Sequence, residues 1–178
     1  MRRLFPIVII LSVFFSCAEE QDFDQFDDLN VVPEIASSIF YFESDEATIN
    51  VAGTGAFYQE TFTFEAFNEA FLSDNVLDGV ITYELDNTTS KPLGVLIEFL
   101  DEGGNVLDSE SFVVEADPAP LLERQVAYGP GGKSLNILRN TTNIRVEGQN
   151  LGDATSQSSQ SEPKIILRSS GAFRLQLL

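Results

Sequence analysis

Between Leu77 and Asp86 the residues alternate with a strict period of two: Leu77, Gly79, Ile81, Tyr83 and Leu85 share one parity, and Asp78, Thr82, Glu84 and Asp86 the other. A helix repeats its dry face about every 3.6 residues, so this pattern specifies a strand with one face in a core. Leu93, Val95, Ile97 and Phe99 repeat the logic, and Asp101-Glu102-Gly103-Gly104-Asn105 supplies turn chemistry before a further strand over 106–115. Similar patterns predict strands over 38–43, 56–64, 121–128, 143–148 and 164–177. In the last of these Ile165, Leu167, Phe173, Leu175 and Leu177 share a parity, and Gly171 predicts a bulge or bend. Phe64, Phe67, Phe71 and Leu72 fall on one helical face, and Ser134 is placed to cap a short helix carrying Leu135 and Leu138. Pro118 with Pro120, Gly129 to Gly132, and Ser156 to Ser161 read as loops. Seven or eight short strands without βα alternation predict an all-β fold, an antiparallel β-sandwich over 37–178 with one or two short helices; a small barrel is the alternative.

Two stretches carry a resemblance. Thr82-Tyr83-Glu84-Leu85-Asp86-Asn87-Thr88, followed by the hairpin from Val95 through Glu98-Phe99-Leu100-Asp101 and Gly104-Asn105-Val106-Leu107, resembles immunoglobulin-like modules. The likeness covers about 30 residues and implies an immunoglobulin-like sandwich without implying an activity.

The N-terminus has a different character. Met1-Arg2-Arg3 precedes an apolar stretch, Leu4 to Phe15, interrupted only by Pro6 and Ser12 and followed by Ser16-Cys17. As a helix that stretch would span about 18 Å, well short of the roughly 30 Å hydrocarbon core. It reads as a signal peptide over 1–16. Cys17 is the chain's only thiol, and Phe14-Phe15-Ser16-Cys17 resembles the lipobox of bacterial lipoproteins, with Phe14 where Leu is usual. The resemblance implies lipidation at Cys17 and a membrane partner reached through an acyl anchor. Six of the ten residues from Glu19 to Asp28 are acidic, which predicts a flexible acidic leash over 17–36. An acidic run directly behind the lipidated Cys resembles the export signal of Bacteroidota surface lipoproteins. It implies a lipid-anchored outer-membrane protein, on the cell surface or on the periplasmic face.

Composition narrows the chemistry. Ten Lys/Arg against 28 Asp/Glu give a net charge of -18, and no basic residue stands between Arg3 and Lys91. Nucleic acid is excluded as a partner, because binding it requires cations that displace counterions from phosphates. The absence of His and a single Cys remove Ser-His-Asp triads, Cys-His pairs, the common zinc sets and any intrachain disulfide. Carboxylate chemistry survives, with Glu84, Glu98 and Glu110 as strand-borne candidates for a glycosidase pair. So does Ser-Lys chemistry, at Ser90-Lys91 or Lys133-Ser134. With 28 acids, carboxylate pairs arise by chance, and Lys91 beside Pro92 and Lys133 beside the 129–132 loop are expected to be exposed.

Calcium is the metal that the acids would suit, through Asp22, Asp24, Asp27 and Asp28, or through Asp101, Glu102, Asn105 and Asp108. Neither set has EF-hand spacing, and no cofactor or specific metal is expected. Phe23 and Phe26 interrupt the acidic run and are expected to punctuate a solvated segment. The reading is therefore a non-enzymatic, lipid-anchored envelope protein in a binding or assembly role with another envelope protein. A carboxylate-based glycan-active enzyme or a glycan-binding module is the second reading.

Overall fold

The structure is a computed structural model, and it describes residues 31–177 apart from 65 and 68. The signal-peptide segment, Cys17, the acidic set Asp22, Asp24, Asp27 and Asp28, and Phe23 and Phe26 lie outside the described residues.

Eight strands run in the order β1 (Glu34–Asp45), β2 (Gly55–Thr63), β3 (Val76–Asn87), β4 (Leu93–Leu100), β5 (Val106–Val114), β6 (Leu122–Tyr128), β7 (Asn143–Asn150) and β8 (Lys164–Leu175). Three short helices interrupt them: α1 (Glu46–Ala52), α2 (Ala70–Asn75) and α3 (Leu135–Asn140). One sheet, which we call A, has the order β1-β8-β3-β6, and the other, B, has β2-β7-β4-β5. All pairings are antiparallel.

Four of these pairings, β1 with β8, β2 with β7, β3 with β6 and β4 with β5, make the chain a single long ribbon folded back on itself. The contacts β3–β8 and β4–β7 then close the ribbon into two sheets, which is jelly-roll connectivity. The expected antiparallel sandwich is present. The immunoglobulin-like resemblance extends to its layers and not to its strand order, since here β1 pairs with the last strand.

The parity read from the sequence fills the interior. Ile81, Tyr83 and Leu85 of β3, Leu93, Ile97 and Phe99 of β4, and Ile165 and Leu167 of β8 are all fully buried. The apolar pattern of β1 changes parity midway, from Ile35 and Ile39 to Phe40 and Phe42. A register shift between Ser38 and Phe40 accommodates it, placing the bulge at Ile39. Gly171, where the sequence predicts a bulge or bend, pairs in register with Ser37 and Ile81 and so carries no bulge. Its lack of a side chain serves another purpose: a Cβ there would stand 2.6 Å from the Phe173 ring and 3.3 Å from Ile39.

The segment before β3 is less helical than its pattern suggests. Phe64 and Phe67 are buried ahead of α2, and Phe71, on the helix itself, is 57% exposed. The Phe64 amide donates to Thr142 O at 2.8 Å and so remains tied to its neighbour. Ser134 caps α3 as expected, accepting from the Asn136 amide. The helix α1 starts where Asp45 accepts from the Thr48 amide at 2.6 Å.

The two open flanks of the sandwich are closed differently. Between the edge strands β1 and β2, Phe40 stacks on Phe62 with centroids 5.5 Å apart and Phe42 on Tyr58 at 4.3 Å. Between β5 and β6 the closure is ionic: Lys133 donates to Asp108 and Glu110 at 2.6 Å each, and Arg124 lies 3.4 Å from Glu110. The Arg124 guanidinium also sits 4.3 Å above the Phe112 ring.

Candidate functional site

The carboxylates singled out in the sequence do not converge. Glu84 sits on the outer face of sheet A and Glu98 on the outer face of sheet B, because each alternates with buried neighbours in its own strand. Glu98 accepts from Arg145 at 2.8 Å. Glu110 points inward from β5 into the ionic flank, where Lys133 and Arg124 neutralise it. The calcium set on the β4–β5 turn is also separated. Asp101 accepts from the Asn105 amide at 2.8 Å and from its side chain, and Asp108 turns inward to Lys133.

The Ser-Lys expectation needs a correction on Lys91. Its side chain is fully buried, although its place beside Pro92 suggested exposure. The ammonium donates to Ser156 O at 2.6 Å, to Ser90 Oγ at 3.2 Å and to Ser156 Oγ at 3.3 Å, and it stands 3.5 Å from Glu46. Glu46 in turn accepts the Ser90 amide and hydroxyl at 2.7 Å each and the Ser158 amide at 2.8 Å. Burial pushes the Glu46 carboxyl up, but the Ser158 and Ser90 hydrogen bonds and the Lys91 charge outweigh it and hold it below the usual carboxylate range.

The group works as a latch: the Ser90 hydroxyl donates to the Glu46 carboxylate, and the Lys91 side chain donates to the Ser156 and Ser90 oxygens around it. It ties α1, the β3–β4 turn and the loop 151–163 together. Lys133 is only one-third exposed, and its neighbour Ser134 caps a helix, so that pair is structural as well.

A broad acidic cleft of about 880 Å³ lies beside the latch, lined by Glu43, Asp45, Glu46, Asn50, Tyr58 and Lys164 among others. Ser90, Lys91 and Ser156 do not line it. Three of its acids are already engaged, Glu43 with Lys164 and Tyr41, Asp45 with the α1 cap and Glu46 with the latch, and Glu162 lines it as well. A smaller apolar cleft of about 350 Å³ opens among Ile35, Ile39, Phe64, Phe67 and Phe173.

The outer face of sheet A is organised differently. Register places its residues in rows across the strands. One row is Tyr41, Arg168, Glu84 and Glu123, the next is Ser38, Ser170, Thr82 and Gln125, and the one after is Ala36, Ala172, Val80 and Ala127. A charged row of Glu34, Arg174 and Asp78 bounds them. Along β8, Lys164 pairs with Glu43 at 3.1 Å and Arg174 pairs with Asp78. Arg168, midway, makes no hydrogen bond or ion pair among the described residues, and neither does its cross-strand neighbour Glu84.

Tyr41 beside them is 51% exposed, and its hydroxyl donates to Glu43 at 2.6 Å. That hydrogen bond raises the tyrosine pKa, while the Tyr41 bond and then Lys164 lower that of Glu43. Neither Tyr41 nor Arg168 stands out in the sequence, although the parity of β8 puts Arg168 on the outer face.

No protein-family model matches the chain, and no curated protein matches it. Among solved structures it is similar to the infectious bursal disease virus VP2 subviral particle, at 12% identity and a TM-score of 0.38 over 84% of this chain and 33% of that one. It is also similar to a Bacillus endospore appendage protein from disulfide-linked pili, at 13% identity and a TM-score of 0.34 over 83% and 91% of the two chains. A third is desmodium yellow mottle tymovirus, at 9% identity and a TM-score of 0.37 over 84% and 85%. The chain spans about a third of the length of the VP2 chain. At such TM-scores the likeness adds nothing to the strand order and says nothing of what the chain does.

Proposed function

We propose that the chain is a non-enzymatic, lipid-anchored envelope protein whose jelly-roll sandwich is a binding module. The observation that carries the binding half is the use made of the polar interior. The reactive sets of Ser90, Lys91 and Glu46 and of Asp108, Glu110 and Lys133 are both consumed in holding elements together. The anchoring half rests on the sequence around Cys17: a basic start, a short apolar stretch and a lone thiol before an acidic run. Two or more acyl chains on that thiol would tether the sandwich durably, since each buried methylene contributes about 0.8 kcal/mol. The module would then meet another envelope component, on the cell surface or on the periplasmic face of the outer membrane.

The test is protease shaving of intact cells expressing the protein, beside a Cys17→Ala variant, with mass spectrometry of the membrane fraction. Wild type is expected in the membrane with the mass of an acylated chain, and the variant outside it. Shaving of the wild type assigns the cell surface, and protection assigns the periplasmic face. Unchanged mass and partitioning on Cys17→Ala would overturn the anchor.

A further inference from the structure

We propose that the outer face of sheet A is a binding face for a neutral glycan, with Tyr41, Arg168 and Glu84 as its central contacts. This deepens the reading of the sandwich as a binding module and does not depend on the anchor. Three observations carry it.

The first is that Arg168 and Glu84, opposite one another on β8 and β3, make neither a hydrogen bond nor an ion pair among the described residues, while the other two β8 cations on the same face are paired. Among the eight described cations, Arg168 is the one with neither a hydrogen bond nor an ion pair. An unpaired guanidinium offers only donors and an unpaired carboxylate only acceptors. Side by side, they match adjacent hydroxyls of a polyol, which accept from the one and donate to the other.

The second is the aromatic ring in the same row. Tyr41 is half exposed, and the chain of bonds from its hydroxyl to Glu43 and on to Lys164 fixes where the ring stands. A held, exposed ring presents apolar area at little entropic cost, as a stacking platform requires. The third is the floor next to it, where Ser170, Thr82 and Gln125 line up across three strands with short hydroxyl and amide groups.

Charge decides the class of glycan. The chain carries -18, and Glu43, Glu84 and Glu123 share the face with Arg168. A polyanion would be repelled by the surrounding field, whereas a neutral polyol meets matched donors and acceptors.

The experiment is affinity electrophoresis of the detergent-solubilised full chain through gels containing a β-glucan, a mannan, a xylan or polygalacturonate. Retardation by at least one neutral polymer is expected. Tyr41→Ala and Arg168→Gln should each weaken it by roughly tenfold or more, while Gln59→Ala on the opposite sheet binds as wild type. Circular dichroism melts of each variant separate lost binding from lost fold. Retardation by polygalacturonate alone, by none of the polymers, or equally in the face variants would overturn the proposal. So would a dimer by light scattering that Tyr41→Ala dissociates, since a second copy would then be the occupant. Each of these outcomes leaves the anchoring result untouched.

Discussion

Lys91 is the most deeply buried charged residue among those described. A fully buried ammonium is tolerable only if its charge is paired and its protons are placed, and Glu46, Ser90 and Ser156 meet both conditions. Removing one partner strands the other charge. Lys91→Met or Glu46→Leu alone is expected to cost about 3–5 kcal/mol, and the double variant less than the sum; urea unfolding of the four proteins checks this.

The latch also has a pH signature. Because Glu46 is held below its unfolded pKa, its contribution is complete above that value, about 4.3, and is lost as pH falls through the lower folded value. The acid limb of stability should therefore be shallower in Glu46→Gln than in wild type. None of this was legible in the sequence. Ser90-Lys91 was visible as a pair, but Glu46 and Ser156 lie 44 and 66 residues from Ser90, and only the fold brings them there.

At the scale of elements the sequence was far more informative, for a physical reason. Strand parity is a local property, so Ile81, Tyr83 and Leu85 or Leu93 through Phe99 announce their own buried face. Bulges and glycine contacts depend on a neighbour and do not. The parity break from Ile39 to Phe40 is in the sequence, yet Gly171 draws the expectation of a bulge or bend because a strand glycine is the louder local signal. The structure makes that glycine a seat for a ring: Phe173 lies against it and meets Phe67 edge-on at 5.1 Å. Gly171→Ala should force the ring aside and cost about 1–3 kcal/mol by overpacking. If the cause is that contact, Phe173→Leu in the same chain should recover part of the loss in thermal melts, and simple additivity would refute it.

At the scale of the molecule, the pairing of β1 with β8 joins Glu34 to Arg174, contacts separated by nearly the whole described chain. β8 stands inside sheet A, between β1 and β3, so the last of the described strands completes the middle of a layer. Non-local pairing of this kind carries the largest loop-closure cost and slows folding. Refolding from urea, followed by stopped-flow fluorescence of the tyrosines, is expected in the millisecond-to-second range typical of all-β domains; microsecond refolding would contradict the topology. A nascent chain lacking β8 has β1 and β3 with nothing between them. Cutting the chain before Lys164 would therefore split sheet A, leaving β1 apart from β3 and β6, instead of merely shortening it by an edge.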